Sequence, residues 1–158
     1  MIKLVVVGKL KEKALLMLTQ EYIKRLAPYT KLEVVEVADE QAPQTNSQAQ
    51  NEQVKEKEGD RILAKIREKE YVILLDLKGE MLSSEQFAET LEKIQLYQSS
   101  EITFVIGGSL GISKAVIQRA NMRWKLSDLT FTHQMVRILL LEQVYRSYKI
   151  RHHEPYHK

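Results

Sequence analysis

Two stretches of this chain combine residue types and spacing that could do chemistry. The first is Gly107-Gly108-Ser109-Leu110-Gly111, directly after the apolar run Ile102-Thr103-Phe104-Val105-Ile106. Glycine permits positive φ and lets a ligand approach the main chain closely. A loop at the carboxyl end of a strand is also where α/β sheets place ligands. Taken alone, the loop fits half of a cofactor site or a plain strand-to-helix turn. It is not a Walker loop, because no Gly-Lys-Ser/Thr stands at the required spacing. Nor is it the dinucleotide fingerprint: Gly108 and Gly111 fit the last two glycines, but Ile106 stands at the first. No metalloprotease helix or nucleophile elbow is present.

The second stretch is C-terminal. All four histidines lie there: His133, His152, His153 and His157. Imidazole suits proton transfer near neutral pH. The spacing matches no zinc pattern and the chain has no cysteine, so no metal site is expected. His133 and Arg137 share one helical face. They read either as a pair that handles an acceptor or as a capping histidine with a surface arginine. The tail, Arg151 to Lys158, carries Pro155, which cannot continue a helix. Its phenol, imidazoles and cations suit stacking on a base and holding phosphate. A frayed terminus is the other reading.

The elements that must position these groups follow from the patterning. Ile2 to Gly8 reads as a strand, then a helix to about Leu26 with Leu15, Leu18, Tyr22 and Leu26 at helical spacing. Lys31 to Val37 reads as a second strand. Asp39 to Gln53 is polar and is the longest loop candidate. A helix is expected from about Gln48 to Arg67, with Lys55-Glu56-Lys57-Glu58 as a solvated face. Tyr71 to Leu77 is a third strand, and Gly79 follows it. Ser83 or Ser84 caps a helix with Phe87, Leu91 and Ile94 on one face. After the glycine loop, Ser113 caps a short helix over 114–120, and Arg123 to Leu126 reads as a fifth strand. His133 to about Ile150 is the last helix. It is apolar nearly all round, which requires burial on more than one side and suggests a second subunit. The alternation predicts one α/β domain with a mostly parallel sheet and helices on both faces.

Composition narrows the class. Hydrophobic residues make up 44% and charged residues 28%, the balance of a globular chain. No apolar run is long enough for a transmembrane helix or a signal-peptide core, so the cytoplasm is the expected location and no membrane role is expected. Without cysteine, a disulfide framework and thiolate catalysis are excluded. The net charge of +3 permits an anionic partner without demanding one.

Together these stretches resemble the RlmH family, bacterial 23S ribosomal RNA pseudouridine N3-methyltransferases of the SPOUT superfamily. The resemblance spans essentially the whole chain. It is carried by Val7 to Lys11, Phe104 to Gly111, Leu126 to Arg137, Glu142 to Arg146 and Pro155 to Lys158. One departure is Thr132, where proline is expected before the histidine; threonine still suits a helix start. The resemblance implies a deep trefoil knot in the C-terminal part of a single 1–158 domain, a feature that general topology rules disfavour. It implies S-adenosylmethionine bound by three loops: Leu75 with its neighbours, Gly107, and Leu126, Ser127, Asp128, Leu129, Thr130 and Phe131. It further implies a homodimer through the last helix, acting on 23S rRNA in the 70S ribosome, with no metal. His133, Arg137, Tyr156 and His157 are then the candidates to handle the acceptor. Two other readings are weighed beside it: a ribosome-binding or assembly protein with an inert knot, and a nucleotide-binding oxidoreductase, which the glycine pattern disfavours.

Overall fold

The structure, a computed structural model, describes residues 1–41 and 47–158. The elements are β1 (Ile2–Val7), α1 (Lys13–Leu26), β2 (Leu32–Val37), α2 (Gln48–Leu63), β3 (Tyr71–Met81), α3 (Ser84–Tyr97), β4 (Ile102–Ile106), α4 (Lys114–Arg119), β5 (Met122–Lys125) and α5 (His133–Arg151). The five strands form one sheet in the order β2-β1-β4-β3-β5, every pair parallel. β4 is the central strand and all five of its residues are buried. A strand covered on both faces needs an apolar run rather than alternation, as the sequence has here.

Strand periodicity sorts the core into two layers. Ile2, Leu4 and Val6 of β1, with Phe104 and Ile106 of β4, pack under α1, α3 and α5. Val5, Val7 and Val105 point the other way, to Ile62 of α2 and Val116 of α4. Ser47 and Ser83 each accept from the amide three residues on and complete capping boxes with Gln50 and Gln86. Such caps stabilise by about 1 kcal/mol each. Thr132 caps α5 through the Met135 amide, a hydrogen bond that proline could not accept. Residues 42–46, in the polar stretch expected as a loop, lie outside the described residues. α2 begins at Gln48, so the end of that stretch, from Gln48 to Gln53, is helix.

Three expectations need correction. α2 stops at Leu63, short of Arg67, because the Lys65 and Ile66 amides bond only three residues back. α5 finds most of its burial within one chain. Ile138, Leu140, Leu141, Val144, Tyr145 and Tyr148 are buried among the sheet, α1 and α3, and the tail folds back so that Tyr156 packs edge-on against Tyr145. Its apolar circumference therefore does not by itself require a partner.

The third correction concerns β3, which continues past Leu77 to Met81. Leu75 and Glu80 both stand opposite Trp124, so Asp76 to Gly79 bulge out of the ladder toward the carboxyl edge. A Cβ on Gly79 would lie 2.6 Å from the Arg123 carbonyl carbon and the Trp124 amide nitrogen. Main chain cannot swing aside as a side-chain tip can. Gly79→Ala is therefore expected to destabilise by about 1–3 kcal/mol, the usual cost of overpacking. At roughly 2–4 °C per kcal/mol, Tm falls by several degrees. An unchanged Tm by calorimetry would show that the two strands are not in tight contact.

Candidate functional site

The bulge of β3 and the carboxyl ends of β4 and β5 open into one cleft of about 750 Å³. Three loops distant in sequence meet there. From the bulge within β3 come Leu75, Asp76, Leu77 and Lys78; after β4, Gly107, Gly108, Ser109, Gly111 and Ile112; after β5, Leu126, Ser127, Leu129, Thr130, Phe131 and Thr132. His133 and Val136, from the first turn of α5, close one side, and Glu52 and Lys55 of α2 another.

Each loop has a local reason for its shape. In the glycine loop, the Gly111 amide donates to the Gly108 carbonyl at 3.1 Å, and Gly111 has φ +101°, a conformation that disfavours a side chain. Ser113 ends the loop by accepting from the Val116 amide at the start of α4. The β3 loop is pinned by Asp76, whose Oδ1 accepts from the Lys78 amide at 2.9 Å and whose Oδ2 accepts from Arg123 Nε at 2.7 Å. In the β5 loop, Ser127 Oγ accepts from the Leu129 amide at 3.0 Å. Leu129 is 70% exposed and Phe131 partly so, which leaves apolar groups at the rim of a cleft.

Of the residues singled out in the sequence, the structure brings Leu75, Gly107, Leu126, Ser127, Leu129, Thr130, Phe131 and His133 to this cleft. Asp128 does not line it; its carboxylate pairs with Lys125. Arg137 is not the surface arginine that one reading allowed. Its side chain is 3% exposed, with Nη1 donating to Glu36 Oε2 at 2.8 Å and Nη2 to the Gly8 carbonyl at 3.3 Å. Glu36 Oε2 also accepts from the Leu10 amide, so Arg137 ties α5 to the turn after β1.

Tyr156 and His157 are not among the residues that line the cleft. Tyr156 donates to Glu142 Oε1 at 3.0 Å, with the Arg146 guanidinium over its ring. Burial first, then the Glu142 hydrogen bond and charge, push its phenol up to about 12, so it stays a neutral donor at physiological pH. His157 sits between Arg146, 3.1 Å from Nδ1, and Glu85, 2.5 Å from Nε2.

The sequence reading missed Glu58. It was placed on a solvated face, yet it is 5% exposed. Burial raises its pKa above the ordinary carboxylate range; the Glu40 amide bond opposes this, and the Asp39 charge adds to it. The folded state thus keeps this proton at a pH where the unfolded chain has lost it. Parent stability falls as pH rises from the unfolded value, about 4.3, through the raised folded one. Glu58→Gln should abolish that fall, so the gap in urea midpoint between variant and parent widens over that window. A gap constant with pH would show that Glu58 titrates as in the unfolded chain. The available signal was Gly59, since glycine inside a helix usually has a packing reason.

The crevice at the carboxyl edge of a parallel sheet is where α/β folds place ligands. Residues 1–157 match the family described as "Predicted SPOUT methyltransferase", and the chain belongs to that family. Among its relatives is a Listeria monocytogenes protein 54% identical over 157 residues, 99% of each chain. Proteins from Enterococcus faecalis and Carboxydothermus hydrogenoformans are each 52% identical over the same length and coverage. All three are named "Ribosomal RNA large subunit methyltransferase H". Among the described residues no helix is long and apolar enough to cross a membrane, and no cluster of three or more His, Asp or Glu could hold a metal.

Proposed function

We propose that this protein transfers a methyl group from S-adenosylmethionine to N3 of a pseudouridine in 23S ribosomal RNA, in the assembled ribosome in the cytoplasm. The observation that carries this reading is the convergence of the three loops on one cleft, in a chain whose full-length relatives bear the names above. The cleft volume falls within the range of small-molecule sites, roughly 300–1,000 Å³. Leu75, Leu126, Leu129 and Phe131 offer the apolar lining that a sulfonium cofactor needs, and Gly107 allows the main chain close to it. Ser127, Asp128 and Thr130 hold or border the third loop. When bound, the cofactor supplies an electrophilic methyl group. The chain's part is to align it with the acceptor, which accounts for much of the rate in such displacements.

The acceptor nitrogen must lose a proton, and His133, at the cleft edge, is placed to take it. His157 is the second candidate. Tyr156, a neutral phenol, bonds to or stacks on the base, and Lys158 holds the RNA backbone. Arg137, committed to Glu36 and Gly8, positions α5 rather than touching RNA. The protein works as a homodimer through α5, where Met135 remains 39% exposed.

Calorimetric titration with S-adenosylmethionine, followed by methyl transfer to 70S ribosomes and mass spectrometry of the modified nucleoside, tests the reading. Binding followed by a methyl group on N3 of a pseudouridine is expected. Absence of binding would leave an inert fold, and a methyl group elsewhere would change the substrate.

A further inference from the structure

We propose that Glu58 is a positioning residue for the glycine loop: its buried carboxylate fills the space of the side chain that Gly108 lacks and so fixes the main chain facing the cleft. The functional part of this proposal rests on the cleft being the S-adenosylmethionine site. Glu58 Oε2 accepts from the Glu40 amide at 3.0 Å. Oε1 is buried and has no hydrogen-bond partner among the described residues. A Cβ on Gly108 would lie 2.8 Å from Oε1 and 3.2 Å from Oε2. The carboxylate and the glycine thus compete for one volume, and glycine concedes it.

The adjacent residue repeats the arrangement. A Cβ on Gly59 would lie 2.9 Å from Ser113 Cβ and nearer still to Ser113 Oγ. Consecutive residues of α2 therefore touch the glycine loop at Gly108 and at its end, Ser113. One turn earlier, Lys55 lines the cleft itself. Leaving a buried acceptor unpaired is unfavourable, and a leucine would fill the space without that cost. The carboxylate has what leucine lacks: the Glu40 amide anchors it in one place. A fixed support behind Gly108 holds the loop amides in one arrangement, as a binding site built on a loop requires.

The test is a double-mutant cycle on the full chain, read by calorimetric titration with S-adenosylmethionine and by amide hydrogen exchange of Gly107 to Ser113. Glu58→Ala should bind about tenfold more weakly and Gly108→Ala similarly, within the coupling range of touching residues. The double variant should bind no more weakly than Gly108→Ala alone, because the new methyl group enters the vacated space. Glu58→Gln keeps the shape and the acceptor for Glu40, so it should rescue binding and slow loop exchange. Should Glu58→Ala fail to fold, Glu58→Asp takes its place in the cycle. Multiplicative losses in the double variant, or unchanged binding and exchange in Glu58→Ala, would overturn the proposal. So would Glu58→Gln failing like Glu58→Ala, because charge and not shape would then act. If the parent binds no S-adenosylmethionine but loop exchange responds as stated, the cofactor reading fails and the positioning role stands.

Discussion

Replacing Gly107 with valine should weaken S-adenosylmethionine binding steeply while the protein stays folded. A Cβ at this position would meet the Ile112 side chain, with Cγ1 at 3.1 Å, and the Gly111 carbonyl oxygen at 3.4 Å. Valine adds two methyl groups to that contact. Ile112 lines the cleft, so displacing its side chain or the loop main chain disturbs the cleft wall. Either movement removes the close approach of backbone to ligand. The fold should survive, because β4 ends at Ile106 and its five buried residues are untouched. A loss of at least about a hundredfold in affinity is expected, equivalent to roughly 2.7 kcal/mol. Titration calorimetry reads the affinity and circular dichroism the fold. A folded Gly107→Val protein that binds like the parent would place the cofactor elsewhere.

The glycine loop was legible because its causes are local. An apolar run, three glycines and a capping serine all lie between Ile102 and Ser113. The convergence of Leu75, Gly107 and Leu126 has no local cause. It depends on β3 lying between β4 and β5, a strand order that periodicity does not specify, and only the resemblance supplied it. Arg137 shows the same limit at one residue. Helical spacing puts it near His133, but its burial is decided by Glu36, on a strand far away in sequence. Gly79 stands just past the apolar run that reads as the third strand. Its actual constraint is the main chain of β5, which is not in its own segment. Glu58 was hidden among alternating charges, where pattern cannot tell an inward carboxylate from a solvated one.

Removing Tyr156, His157 and Lys158 should abolish methyl transfer to ribosomes while leaving S-adenosylmethionine affinity intact. The cleft combines apolar and main-chain groups with charged side chains such as Glu52, Lys55 and Lys78 and with His133, and the tail would add a phenol, an imidazole and an ammonium at the nucleobase. In one chain, Tyr156 and His157 are held by Glu142, Arg146 and Glu85 and do not line that chain's own cleft. If they serve the chemistry, they do so in the cleft of a partner. The end of α5 has a separate anchor: Glu154 is fixed by Lys149 at 2.7 Å and by the Tyr29 hydroxyl at 2.8 Å, and truncation after Pro155 leaves it in place. Proton handling by a positioned side chain contributes about 10²–10⁴ in rate, and loss of base contacts adds to that. A drop of about a thousandfold in single-turnover methyl transfer is therefore expected, with an unchanged cofactor titration and an unchanged sedimentation coefficient. Mixing the truncated protein with Gly107→Val should restore part of the activity, since a mixed dimer would carry one intact cleft served by one intact tail. No restoration would confine each tail to its own chain. Full activity of the truncated protein would return residues 156–158 to a frayed terminus and leave His133 as the one candidate for the acceptor proton.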